Sequence, residues 1–168
     1  MNSVNVNRGP EAWPRAAARL GAAGGNAMDA TRPPVSHVLE TALYVAALSR
    51  SRDFYTRLMG FPVFLEDERM VALGVPGGGV LLLFVRGGSV AGSDTPNGHI
   101  PGHDGAGRLH LAFAIAADTL PLWEAWLAAE GIAIESRITW PRGGTSLYFR
   151  DPDGHAVEVA TPGLWPNY

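Results

Sequence analysis

The stretch "LHLAFAIAADTLPLWEAWLAAEGIAI" (109–134) repeats the plan of "LETALYVAALSRSRDFYTRLMGFPV" (39–63). Each reads as an alternating strand, a short connection, an amphipathic helix, a glycine and a second strand. In the first copy Phe54, Leu58 and Met59 recur at helical spacing, with Ser49 or Ser51 as the expected cap and Gly60 as the stop. In the second, Leu120, Trp123 and Leu127 supply the stripe, Asp118 the cap, Pro121 the first turn and Gly131 the stop. The repeat continues beyond the helices. "MVALGVPGGGVLLLFV" (70–85) falls on "SLYFRDPDGHAVEVAT" (146–161) at an offset of 76 residues, with Pro76 on Pro152 and Gly78 on Gly154. The chain therefore reads as two βαβββ modules, 36–86 and 107–161, within one domain spanning 35–168. A Gly-rich connection, 87–107, joins them. Residues 1–34, rich in Ala, Gly, Asn and Pro, lack sustained apolar periodicity and read as a disordered extension, with a short helix possible around Pro14 to Leu20.

Composition narrows the function classes. Thirteen Lys and Arg against sixteen Asp and Glu give a net charge of −3, which offers no electrostatic footprint for nucleic acid or an anionic membrane. No cysteine is present, so disulfides, thiolate catalysis and Cys-type zinc sites are excluded. The lack of Cys suits the cytosol. No apolar run approaches the roughly 20 residues a membrane-spanning helix needs, and the start lacks the order of a secretory signal. A cytoplasmic protein is expected.

Chemistry-bearing residues fall at matched positions of the repeat. Glu40 in the first strand of module one aligns with His110 in the first strand of module two, and each is followed two residues later by alanine. The last strand of module two repeats the device with Glu158 and Ala160. In all three strands the alternate face is apolar: Leu39 and Leu43, Leu111 and Phe113, Val157 and Val159. If that face packs on helices, Glu40, His110 and Glu158 share the opposite, concave face. Carboxylate and imidazole ligands there suit a divalent ion, whereas unpaired buried carboxylates are costly. For Glu40 alone, an ion pair with Arg142 or Arg150 is the competing reading; for His110 alone, it is a hydrogen-bonded core histidine.

With a hairpin loop at 151–155, Tyr148 pairs with Glu158 across the strands, and Leu147 and Phe149 join the apolar face. Tyr148 is the candidate proton or hydrogen-bond donor to a substrate oxygen. Arg150 lies nearer the loop, to hold a substrate carboxylate or to pair with Asp151 or Asp153. His103, in the connection, is a candidate base or extra ligand. Trp140 and Arg142 are placed at the pocket mouth. Leu82, with Val80 and Phe84, makes an apolar floor. His155 is expected to meet solvent in its turn, and His37 to point away from the cup.

These motifs carry a resemblance. "LETALYVAALSRSRDFYTRLMGFPV", "LHLAFAI" and "SLYFRDPDGHAVEVATP" together resemble the vicinal oxygen chelate superfamily, which includes glyoxalase I, extradiol dioxygenases, fosfomycin-resistance and bleomycin-binding proteins. The resemblance covers about residues 36–162. It implies an α+β fold of paired βαβββ modules forming a cupped, mostly antiparallel sheet with helices on the convex face. It also implies one divalent metal (Zn, Mn, Fe, Ni or Co), a small-molecule substrate chelating through adjacent oxygens, and a homodimer. The family's ligand positions match Glu40, His110 and Glu158. A fourth, used by glyoxalase I, falls on Leu82, which cannot ligate. One histidine and two carboxylates also differ from the 2-His-1-carboxylate triad of non-haem iron oxygenases. The implied reaction is lyase or isomerase chemistry ahead of dioxygenation. The alternative is a non-catalytic binding protein of the bleomycin-resistance type.

Overall fold

The computed structural model describes residues 33–168, of which Ser36–Tyr168 forms one compact unit. The expected N-terminal extension and its short helix lie outside the described residues, apart from Pro33 and Pro34. Module one runs β1 (Glu40–Val45), α1 (Leu48–Met59), β2 (Val63–Glu66), β3 (Met70–Val75) and β4 (Gly79–Val85). A short hairpin, β5 (Ser93–Thr95) and β6 (Gly98–Ile100), punctuates the connection. Module two runs β7 (His110–Ala114), α2 (Leu120–Ala129), β8 (Ser136–Thr139), β9 (Thr145–Arg150) and β10 (Ala156–Ala160).

The repeat is exact at the level of topology. One sheet is ordered β1-β4-β3-β2 and the other β7-β10-β9-β8. In each, the first strand pairs in parallel with the last: Ala42 opposite Leu82 in one, Ala112 opposite Glu158 in the other. Every other pairing within these two sheets is antiparallel. The fold is thus the expected α+β pair of βαβββ modules.

Alternation decides which face each strand buries. Leu43 and Val45 of β1, Leu81 and Leu83 of β4, Leu147 and Phe149 of β9, and Val157 and Val159 of β10 enter one shared core. Helix α1 adds Phe54, Tyr55 and Leu58, one stripe at i, i+1 and i+4, and ends on Gly60 at φ 72°, the left-handed cap glycine adopts without strain. Each such fully buried apolar side chain stabilises the fold by about 1.5–3 kcal/mol. Trp126 of α2 donates its indole N–H to the Leu58 carbonyl at 3.0 Å. That satisfies one of the orphan acceptors in the last turn of α1 and ties the two helices together.

Three sequence expectations are corrected. Neither Ser49 nor Ser51 caps α1: the helix starts after Ala47 without a side-chain cap. Ser51 is instead buried, and its hydroxyl donates to Asp153 of module two at 2.9 Å. Asp118 does not cap α2, which is entered through a 3-10 turn (Ala117–Thr119). His155 is not in solvent but completely buried. Its Nδ1 accepts the Leu109 N–H at 3.0 Å and its Nε2 lies 3.1 Å from the Tyr44 carbonyl, so the ring is the neutral Nε2–H tautomer.

The loop 151–155 is therefore more than a turn. Asp153 accepts the Ala46 N–H at 2.7 Å and faces Arg50 and Arg86 at 3.4 and 3.2 Å. Burial alone would raise its pKa. The Ala46 and Ser51 hydrogen bonds and the two guanidinium groups outweigh that and hold the carboxylate below its ordinary range. Tyr55 donates to Asp151 at 3.0 Å. The module-two loop is stapled to the C-terminal end of β1.

Candidate metal and substrate site

The register of β10 places Glu158 between Ala112 of β7 and Tyr148 of β9, as the alternation required. Alanine on one side leaves room, and the parallel pairing brings His110 within reach. His110 Nε2 lies 3.3 Å from Glu158 Oε2. The other imidazole nitrogen, Nδ1, lies 3.1 Å from the Ala156 carbonyl, which can only accept. Nδ1 therefore carries a proton that it donates to this carbonyl, and Nε2 is the nitrogen directed at the carboxylate. That is the arrangement in which imidazole ligates a metal through one nitrogen while a carbonyl fixes the other.

Glu158 is 2% exposed, and its Oε1 is buried without a hydrogen-bond partner among the described residues. An orphaned buried carboxylate oxygen costs several kcal/mol. A divalent cation would remove that penalty, with the Glu158 carboxylate and His110 Nε2 as neighbouring donors. The Tyr148 ring stacks against His110 with centroids 6.0 Å apart. Burial, and then the Glu158 charge, push its phenol above the ordinary range, so it keeps its proton at neutral pH.

Glu40 stands apart. No three His, Cys, Asp or Glu side chains among the described residues lie close enough together to hold a metal ion. The chain unites His110 with Glu158 and leaves Glu40 exposed at the start of β1, lining a hollow over module one. No carboxylate–arginine pair with Arg142 or Arg150 forms at Glu40 either. Arg150 pairs with Glu135, not with Asp151 or Asp153 as the turn reading expected, and that pairing holds Glu135 below the usual carboxylate range. With Tyr148 it lines a second, shallower hollow on module two. Arg142 is exposed in the turn after β8, and the Trp140 indole donates to Ser146 at 2.8 Å.

Leu82 and His103 do come together, in the hollow that also holds Glu40. The connection folds back over the module-one sheet and places the His103 ring edge-on against Phe84, centroids 4.6 Å apart. His103 Nδ1 is hydrogen-bonded to the Tyr44 hydroxyl at 2.8 Å. Tyr44 and Arg69, which also line this hollow, were not singled out from the sequence. The signal for Tyr44 was its parity with Glu40.

Two four-stranded βαβββ sheets with a His–Glu pair on facing first and last strands decide the family. The family model for the glyoxalase/bleomycin resistance protein/dioxygenase superfamily matches residues 35–159. The chain belongs to that superfamily. Among its relatives, the metallothiol transferase FosB of Staphylococcus saprophyticus subsp. saprophyticus is 30% identical over 118 residues, 70% of this chain and 71% of that protein. FosB of Staphylococcus epidermidis is 26% identical over 121 residues, 71% of this chain and 79% of that protein. Among solved structures, a lactoylglutathione lyase from Agrobacterium tumefaciens superposes with a TM-score of 0.73 at 33% identity. It covers 80% of this chain and 99% of that one. The superfamily thus supplies the fold directly, while its members carry different reactions. No helix among the described residues is long and apolar enough to cross a membrane.

Proposed function

We propose that this member of the superfamily is a metal-dependent enzyme acting on a small molecule that offers two adjacent oxygens. His110 and Glu158 would hold the divalent ion, with Glu40 of a second copy as the third ligand. The observation that carries the reading is the buried Glu158 Oε1, partnerless among the described residues, on a carboxylate that His110 Nε2 approaches to 3.3 Å. The exposed Val38 and Leu39 beside Glu40, 79% and 62% accessible, are apolar surface that a second copy would cover. When bound, the ion supplies Lewis-acid polarisation of a substrate carbonyl or enolate oxygen. Tyr148, protonated at neutral pH, donates a hydrogen bond to a substrate oxygen beside Glu158. Ala112 and Ala160 leave the space that oxygen needs. One histidine with two carboxylates favours lyase or isomerase chemistry over dioxygenation. A metal-free binding protein is the second reading, motivated by Leu82 standing where the repeat-equivalent of Glu158 would be.

The test is elemental mass spectrometry on the full chain. The wild type should hold close to one divalent ion per chain, and Glu158→Gln and His110→Ala should each lose it. Retention by Glu158→Gln sinks the site. Glu40→Ala co-expressed with His110→Ala should regain one site per mixed dimer if Glu40 acts across copies. No regain places the third ligand elsewhere. Ligand binding that survives chelation, without turnover, would favour the second reading.

A further inference from the structure

The hollow over module one is a built cavity of about 470 Å³, within the range of small-molecule pockets. Its floor is set by strand register. Glu40 lies opposite Val80. One row further, Ala42 lies opposite Leu82, and Leu82 opposite Ala72. One row further again, Tyr44 lies opposite Phe84, and Phe84 opposite Met70. Arg69 follows immediately, so it lines the end of the hollow remote from Glu40. Four residues of strand separate Glu40 from the Tyr44 row, about 13 Å. The hollow is a slot with a carboxylate at one end, a guanidinium at the other, and apolar side chains between.

The connection is its wall, and the wall is fixed. A Cβ at Gly102 would overlap the Val90 carbonyl, one at Gly92 the Ile100 carbonyl, and one at Gly105 the Tyr44 ring. The Ser89 carbonyl accepts from both Gly92 and His103, at 3.1 and 3.0 Å. Ser89 is itself buried and lines the slot, its hydroxyl without a partner among the described residues. Arg69 is half-buried. Its guanidinium donates to the Ser93 hydroxyl, a neutral group, and none of the ion pairs among the described residues engages it.

We infer that the module-one slot receives an elongated amphipathic carboxylate, its anionic end on Arg69 and its apolar body on Leu82 and Phe84. A half-buried arginine without a carboxylate is the donor such a group needs. Ser93, which accepts from Arg69, lines the same cavity and adds a hydroxyl beside the guanidinium. The body length that fits, an aromatic ring and a few methylenes, follows from the slot. The slot's far end, at Glu40, is where the proposed metal ligand lies, so the placement of the reacting end rests on that reading. The anion site at Arg69 does not.

The experiment uses the full chain after chelator treatment and two probes of equal length, 4-phenylbutyrate and 4-phenylbutan-1-ol, titrated by calorimetry. The acid should bind at least tenfold more tightly than the alcohol in the wild type. Arg69→Met should bring the acid down to the alcohol's affinity and leave the alcohol unchanged, while Arg69→Lys should keep part of the preference. Equal affinities in the wild type, no binding of either probe, or a preference that survives Arg69→Met would each overturn the inference. Metal content of Arg69→Met is measured alongside. A wild type that holds metal before chelation but shows no acid preference condemns the slot alone, and a wild type with the acid preference that holds no metal condemns the metal reading alone.

Discussion

Replacing His155 tests how much the buried imidazole stabilises the chain through its bonds to Leu109 in its own module and Tyr44 in the other. In His155→Leu the apolar volume is nearly kept, so little cavity forms and the polar consequences can be isolated. The Leu109 N–H loses its acceptor at 3.0 Å, which costs about 1–3 kcal/mol for a partly buried donor. The Tyr44 carbonyl loses the imidazole N–H but still accepts from Arg86 Nε at 3.2 Å, so that loss is nearer 0.5–1 kcal/mol. The expected destabilisation is about 2–3 kcal/mol, or about 8–12 °C in Tm for a unit of this size. Urea unfolding of the full chain, followed by tryptophan fluorescence, measures it, with the m-value expected unchanged. His155→Asn restores an acceptor close to where Nδ1 stood and should recover about half of the loss. A Leu variant within about 0.5 kcal/mol of wild type, or an Asn variant no better than Leu, would refute the stabilising role given to the imidazole. Leu109 immediately precedes His110, so the Leu variant should also bind metal more weakly although no ligand is touched.

Three further outcomes are expected. Burial, then the Asp151 charge, push the Tyr55 phenol far above its ordinary value of about 10. The folded state therefore holds that proton more firmly than the unfolded state does. Stability is complete below about pH 10 and falls by about 1.4 kcal/mol per pH unit above it; Tyr55→Phe should flatten the fall in urea midpoints between pH 9 and 11. Gly105→Ala should push the connection off the Tyr44 ring and speed proteolysis within 86–107 at least tenfold, while leaving metal content at wild-type level. Tyr148→Phe should retain the metal and lower kcat by about 10²–10⁴-fold on whichever substrate is found, as loss of a positioned proton donor does; an unchanged kcat would make Tyr148 a wall of the pocket only.

The fold was legible because it is repeated. A single copy of strand, helix, glycine and strand suits many architectures, but two copies at a constant offset fix strand order and parity together. That is why Glu158 opposite Tyr148 and the apolar set Leu147, Phe149, Val157 and Val159 could be read before any coordinates. What failed were local rules overridden by distant partners. Ser51 has the composition of a helix cap, yet its hydroxyl serves Asp153, 102 residues away. His155 has the position of a solvent-facing turn residue, yet the carbonyl it meets is 111 residues away. Periodicity reports which way a side chain points, not what module the chain will bring against it. The Arg150–Glu135 pair was within reach: with Ser136 opposite Tyr148, Glu135 falls beside the end of β9.

The candidate site divides along the same line. His110 and Glu158 meet because β7 and β10 are neighbours in one module, and repeat alignment is sufficient to see that. Glu40 occupies the matching place in the other module, where the strand beside it carries Leu82 instead of a carboxylate. The two modules have therefore diverged in opposite directions from one pattern. One carries Glu158 on its last strand, beside His110; the other has an apolar last strand that floors the hollow. Among the described residues, neither module supplies the Glu40 carboxylate with two further His, Asp or Glu side chains to complete a metal site. If Glu40 is a ligand, the missing partners must come from a second copy, and metal binding should then depend on protein concentration. Dilution through the dimer's dissociation range should release the ion from wild type. Ion retained by monomer would leave Glu40 as a charge at the slot mouth and nothing more.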